Sequence, residues 1–269
     1  MYRRDKICRV FCVENLTFLY LCTNQRSVLA MVIAKQLKDA LNKTPEGQVF
    51  SIQDFDIPKE YQPALVKALG RLAADGTIRK VSKGRYYKPR QTVFGTLKPS
   101  IMEIVKDLLE RNGKPAGYIT GTAAFAGMGL TTQITSTITI GTKQYRRPLK
   151  RGEYTVSFIL QPNDITEENI PLLCILDAVK LLRNIPATSP DECVRILCKL
   201  IAALSEDERR RLTELAEGYT PYVRALLGAM FESIGVESYA LCETLNGTTK
   251  YKLPVSEQAL PTKRNWNIL

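Results

Sequence analysis

The sequence contains no histidine. Ser-His-Asp and Cys-His catalysis, His-ligated metal centres and imidazole proton transfer are excluded together by that one absence. It also lacks any Cys-x-x-Cys pair. Its seven cysteines (Cys8, Cys12, Cys22, Cys174, Cys193, Cys198 and Cys242) fall at unrelated spacings. Zinc ribbons and fingers need close Cys or Cys/His pairs, so no metal site is expected. Cys174, Cys193 and Cys198 lie in apolar helical patterns, which points to reduced thiols acting as small hydrophobes in a cytoplasm. The glycines are too irregular for a dinucleotide fingerprint and no Walker pattern occurs, so no cofactor is expected. No run is long and apolar enough to span a bilayer, so no membrane partner is expected either.

What the sequence does have is basic charge, unevenly placed. Its 269 residues carry 38 Lys/Arg against 27 Asp/Glu, a net charge of +11. Residues 1–99 hold 18 basic and 8 acidic side chains, whereas residues 100–269 hold 20 and 19. The balance of 45% hydrophobic and 24% charged residues is globular, and the length suits one large or two medium domains. A basic first third joined to a near-neutral remainder points to a nucleic-acid or membrane-binding module.

Residues 1–27 form an N-terminal extension. Basic Tyr2–Arg9 precedes an apolar stretch, Val10–Cys22, that imitates a signal peptide. Glu14 and Asn15 interrupt it and no small-residue cleavage site follows. Two readings stay open. Residues 1–30 come from an upstream start choice, with Met31 just inside the next helical pattern, or they form an ordered helix packed on a domain.

Residues 28–90 read as a winged helix-turn-helix. Val28, Leu29, Val32, Ile33, Leu37 and Leu41 give amphipathic helical spacing, with Lys35 and Lys38 outside. Thr44-Pro45-Glu46-Gly47 ends that helix, and Val49-Phe50 is a short extended piece. Ser51 with Asp54 three residues on is an N-cap signature for one helical turn. Pro63 suits the start of a second helix, with Leu65, Ala68, Leu69 and Leu72 inward and Lys67 and Arg71 facing away. Gly76 stops it. Thr77–Val81 and Arg85–Lys88, joined by Ser82-Lys83-Gly84, read as a hairpin, and Gly76–Arg90 holds six basic residues and no acid.

In such a fold the second helix enters the major groove and the hairpin touches the backbone. The candidate DNA-binding residues are Gln62, Lys67, Arg71, Arg79, Lys80, Lys83, Arg85 and Lys88. Tyr86 and Tyr87 either contact phosphate or pack beneath the wing, packing being preferred. The plainer alternative is a solvated basic face or a protein contact.

Residues 91–100 (QTVFGTLKPS) look like a linker. Residues 101–269 read as a small sheet plus several helices, which makes the whole chain α+β. Ile101–Arg111 is an amphipathic helix. Gly117–Met128 reads as a close-packed small-residue helix stopped by Gly129-Leu130. Gln133–Ile140 alternates apolar residues with Thr and reads as a strand, a turn follows within Gly141–Lys150, and Glu153–Leu160 is again extended. Lys143, Arg146, Arg147, Lys150 and Arg151 form a second basic cluster, either a solvated hairpin edge or a second contact for nucleic acid or an acidic partner. Helices follow over Glu167–Arg183, Pro190–Leu204, Ser205–Glu217 and Pro221–Ile234. The tail from Leu245 is polar and runs extended over the surface, with Trp266 near its end.

No catalytic constellation stands out. Glu167/Glu168, Asp191/Glu192 and Glu206–Glu208 start helices, where carboxylates complement the dipole. The β-rich stretch Gln133–Leu160 has Glu153 as its single acid, which leaves nothing to hold the Mg²⁺ of a nuclease or nucleotidyltransferase. The expectation is a protein that is not an enzyme.

Several segments in order resemble a bacterial family. These are Val49-Phe50-Ser51 with Asp54-Phe55, Ala68-Leu69-Gly70-Arg71-Leu72-Ala73, Gly76-Thr77-Ile78-Arg79-Lys80 and Gly84-Arg85-Tyr86-Tyr87. Next come Thr120-Gly121-Thr122-Ala123-Ala124 and Met128-Gly129-Leu130-Thr131-Thr132-Gln133-Ile134. Lys250-Tyr251-Lys252-Leu253, Leu260-Pro261 and Asn265-Trp266-Asn267 close the series. Over residues 31–269 the chain resembles the AbiEi-type antitoxins of type IV toxin–antitoxin (abortive infection) systems. The resemblance implies a cytoplasmic autoregulator whose first domain binds inverted repeats in its own promoter. It implies a second domain that counters a nucleotidyltransferase toxin without a stable complex. A stand-alone regulator whose second domain senses a ligand or partner is the alternative.

Overall fold

The computed structural model describes residues 33–55, 57–93 and 95–269. The readings made for residues 1–32, including Cys8, Cys12 and Cys22, lie outside them. The protein is mixed α and β with small sheets. It divides into two compact units between Ile104 and Val105.

In unit 1 the first helix is described over residues 33–43 (α1). Ile33, Leu37 and Leu41 recur every fourth residue and are buried, while Lys35 and Lys38 are exposed. β1 (Val49–Ser51) leads into a 3₁₀ turn, Ile52–Asp54. Ser51 and Asp54 form a reciprocal capping box that ties the two together. α2 (Gln62–Ala74) has Pro63 in its first turn, where a missing N–H costs nothing, and buries Leu65, Ala68 and Leu69. Gly76 (φ 83°) ends the helix in the left-handed region.

β2 (Arg79–Ser82) and β3 (Arg85–Tyr87) pair antiparallel with an irregularity between Lys80 and Ser82. β1 adds to the far side of β3, giving the order β1-β3-β2. Tyr86 stacks on Phe50 at 6.3 Å between ring centroids, and Phe55 meets Phe50 edge-on at 5.8 Å. Both tyrosines are buried, so they pack beneath the hairpin.

The stretch read as a linker instead forms a second hairpin, β4 (Arg90–Thr92) with β5 (Gly95–Leu97). The Thr92 hydroxyl donates to the Gly95 carbonyl at 2.8 Å, closing a turn that composition alone conceals. The division between units falls within α3 (Ile101–Leu109). Within unit 1, Glu103 accepts a hydrogen bond from the Val49 N–H at 3.1 Å.

Unit 2 opens with a short ribbon, β6 (Glu110–Arg111) and β7 (Lys114–Pro115). Gly117–Met128 is not one helix. Gly117–Thr120 is a strand (β8), and only Thr122–Gly127 is helical (α4). The following strand is shifted from its expected position, running over Thr137–Thr142 (β9), with Ile134 left 97% exposed. β10 (Leu149–Arg151) and β11 (Tyr154–Leu160) complete a four-stranded sheet of order β10-β11-β9-β8. β9 and β11 are parallel, while both edge strands run antiparallel to their neighbours.

The helices α5 (Ile170–Lys180), α6 (Pro190–Ala202), α7 (Glu206–Ala216) and α8 (Pro221–Ser233) follow close to the expected bounds. Ser189 and Ser205 cap α6 and α7, the latter in a full capping box with Glu208. A short α9 (Tyr239–Glu243) precedes the tail.

The tail does not lie over the surface. Tyr251, Val255, Leu260, Trp266 and Ile268 are buried in the core of unit 2. The Trp266 ring lies against Gly228 of α8, where a Cβ would sit 2.2 Å from ring atoms. Its indole N–H donates to Glu232 Oε2 at 2.7 Å. Asp191 at the start of α6 accepts from both the N–H and the hydroxyl of Ser256, at 2.8 and 2.6 Å. These bonds hold the Asp191 carboxyl below its ordinary pKa. Among the described residues no helix is long and apolar enough to cross a membrane.

Candidate nucleic-acid interface

The burial of Leu65, Ala68 and Leu69 fixes the rotation of α2 and turns Lys67 and Arg71, one turn apart, outward. Gln62 is half-buried at the start of the helix. Val66 is 44% exposed between them and Gly70 has open space over it, so this face is low in relief. The helix carries no acidic residue. Asp75 accepts from the Thr77 N–H at 2.9 Å and fixes the turn from α2 into the hairpin. The Thr77 hydroxyl, and after it the Thr77 N–H, lower the Asp75 pKa and keep it ionised.

On the hairpin, Val81 faces inward, while Arg79, Lys80 and Lys83 are exposed. Arg85 on β3 and Lys88 just after it are half-buried. Lys67, Arg71, Arg79, Lys80 and Lys83 hold no ion pair or side-chain hydrogen bond among the described residues. Their charge is therefore not neutralised locally, and their long side chains are available to an outside anion.

The second basic cluster does not come together as expected. Arg151 is 8% exposed and its guanidinium bonds Asp107 at 2.9 Å, so it is a buried ion-pair partner and not a surface contact. Its place at the end of β10 turns it inward, which the run of basic residues hides. Lys143 is held by Asp164 and by the Pro162 carbonyl, at 2.8 and 2.9 Å. Arg146 lies over the Phe158 ring at 5.9 Å. Arg147 and Lys150 are exposed.

A buried polar cluster in unit 2 escaped the sequence reading. Asp177 of α5 is 1% exposed. Its Oδ2 accepts from the hydroxyls of Tyr118 and Thr120 at 2.7 and 2.8 Å, and its Oδ1 accepts from Tyr219 at 2.8 Å. Gln161 Nε2 donates to both tyrosine oxygens at 2.8 Å. Burial raises the Asp177 pKa against the opposing effect of the three hydroxyls. Burial, reinforced by the Asp177 charge, raises both tyrosines as well.

Burial also pushes the Cys174 thiol up to about 12, which leaves it protonated and unreactive at neutral pH. Every polar group of the Asp177 network is satisfied within it, and the cluster joins β8, α5 and the α7–α8 connection. A satisfied buried network of this kind rigidifies and specifies the core. Gly141 of β9 belongs to it: a Cβ there would lie 2.3 Å from the Tyr118 ring. Among the described residues no group of His, Cys, Asp and Glu could hold a metal ion.

Unit 1 thus presents a helix and a hairpin with free cations, and unit 2 a sheet-and-helix body with a closed polar centre. The chain belongs to the family described as "Family of unknown function (DUF6088)", whose model matches residues 36–197. No curated protein matches it. Among solved structures it is similar to the RV2827C protein from Mycobacterium tuberculosis, with 14% identity and a TM-score of 0.44. That similarity covers 82% of this chain and 84% of the other.

Proposed function

We propose that unit 1 is a winged helix that binds double-stranded DNA, with α2 in the major groove and the β2–β3 hairpin on the flanking backbone. The observation that carries this reading is the set of five exposed, unpartnered cations on α2 and the hairpin, with no acid on that helix. Phosphate contacts by such residues supply affinity and set register, while base specificity comes from the groove-facing side of α2.

The protein acts in the cytoplasm as a regulator of its own promoter. The residues that resemble AbiEi-type antitoxins support a further role for unit 2, countering a nucleotidyltransferase toxin without a stable complex. No catalytic role is assigned to the protein. The alternative, a regulator whose second unit senses a small molecule, is favoured by a cationic cavity in unit 2.

A band-shift with duplex DNA from upstream of the gene tests the shared claim. Lys67→Ala, Arg71→Ala and a charge reversal at Lys80 and Lys83 should each weaken binding. Wild-type binding by all three variants would place the interface elsewhere.

A further inference from the structure

Unit 2 contains an open cavity of about 500 Å³. It lies among the end of α5, the 3₁₀ turn Leu182–Asn184, the first turn of α8 and residues 250–253. Its size falls within the ~300–1,000 Å³ of small-molecule sites. Lys180, Arg183, Lys250 and Lys252 line it, and no carboxylate does. Residues 100–269 as a whole are nearly neutral, so four cations around one cavity depart from the average of that region. Concave cationic surfaces focus potential and draw in anions.

Apart from Asn184 the remaining walls are aromatic and aliphatic, with Tyr222 and Tyr251 beside Val179 and Leu182. Bonds between separate segments hold them in place. The Arg183 guanidinium donates to the Lys252 carbonyl, and the Tyr222 hydroxyl donates to the Lys180 carbonyl at 2.9 Å. The backbone of Tyr251 is tied to Asn267 and Leu269 at 2.8 and 2.7 Å. The Tyr251 hydroxyl is buried without a hydrogen-bond partner among the described residues, a polar group that the fold of unit 2 leaves unsatisfied.

We propose that this cavity binds a phosphorylated molecule bearing a flat ring, of the nucleotide class. The Lys250 and Lys252 ammonium groups and the Arg183 guanidinium take the phosphates, the Lys180 ammonium lying over the Tyr219 ring at 5.7 Å, and the tyrosine-lined wall takes the ring. The same chemistry is offered by a free nucleotide or by the 5′-phosphorylated end of a single strand. The inference does not depend on DNA binding by unit 1.

Isothermal titration of the full chain with ADP, pyrophosphate, adenosine and a short 5′-phosphorylated oligonucleotide tests it. ADP or the oligonucleotide should bind saturably, and the tighter of the two identifies the source. Pyrophosphate and adenosine should each bind at least tenfold more weakly than ADP and compete with it. Lys252→Glu and Lys250→Ala should each weaken binding at least tenfold, with an unchanged circular dichroism spectrum. The double variant Lys67→Ala/Arg71→Ala should bind as wild type. Three results overturn the proposal: no saturable binding of any probe at millimolar concentration, binding lost with the Lys67/Arg71 pair but not with Lys252→Glu, or tighter binding of poly-glutamate than of ADP.

Discussion

Gly228 and Trp266 make opposing demands that a single substitution exposes. Gly228 lies inside α8, where replacing glycine by alanine ordinarily stabilises a helix by about 1 kcal/mol. Here the new Cβ would meet three atoms of the Trp266 ring at 2.2–2.6 Å. That ring is 6% exposed and its N–H is held by Glu232, so it cannot swing aside freely. Overpacking of this kind costs about 1–3 kcal/mol. Because all three approaches lie far inside van der Waals contact, the upper part of that range applies, and Gly228→Ala should destabilise by about 1–2 kcal/mol net. Trp266→Ala alone should cost about 3–5 kcal/mol. In the Trp266→Ala background the clash is gone, so Gly228→Ala should turn stabilising by up to about 1 kcal/mol. The coupling between the two sites is then about 2–3 kcal/mol. Urea unfolding followed by circular dichroism reads all four corners of the cycle, provided the slopes agree. A Gly228→Ala protein at least as stable as wild type would show that the tail does not pack on α8 as described.

Two further outcomes follow from the polar groups of unit 2. Asp177 has a folded pKa raised above the ordinary 3.8 by burial. Its contribution to stability is therefore fully present below 3.8 and is lost as pH rises through its folded value. Asp177→Asn should remove that component, so the stability difference between wild type and variant should change across this window and stay flat below it. A difference that is constant with pH contradicts the assignment. At the other end of the sheet, Arg151→Ala removes the buried guanidinium bonded to Asp107 and should cost about 2–4 kcal/mol, whereas exposed Lys150→Ala should stay within about 0.5 kcal/mol. Equal effects of the two variants in thermal or urea melts would restore Arg151 to the surface.

Local signals in the sequence carried unit 1 well. The Ser51–Asp54 pair, Pro63, the Leu65/Leu69 stripe and Gly76 each act within a few residues, and each appears in the structure where the sequence puts it. The early acids read at the starts of the helices over Pro190–Leu204 and Ser205–Glu217 also fall in the first turns of α6 and α7. What was not legible depends on distant partners. Gly117-Tyr118-Ile119-Thr120 is a strand because β9 pairs with it, although its small neighbours suggest a helix. The parallel pairing of β9 with β11 leaves no mark in either strand.

The buried apolar residues of the tail fall at 251, 255, 260, 266 and 268, with no period, because irregular backbone brings each to the core separately. The basic face was visible as charge, but the inward turn of Arg151 was not, since it is set by the end of β10. One signal for the Asp177 network was present and unused: an aspartate within a helix that is apolar on nearly every side. A carboxylate in that position needs partners, and the structure supplies three hydroxyls.

The central claim is that the free cations of α2 and the hairpin meet DNA phosphates. The salt dependence of binding tests it most directly, measured by fluorescence anisotropy with promoter duplex between about 50 and 200 mM salt. Five phosphate contacts predict a slope of log K against log salt of about −4 to −5, and each contact removed should flatten it by about 0.9. The Lys67→Ala/Arg71→Ala variant should therefore bind more weakly with a slope nearer −3. Binding that is indifferent to salt, or a variant slope equal to that of wild type, contradicts the account.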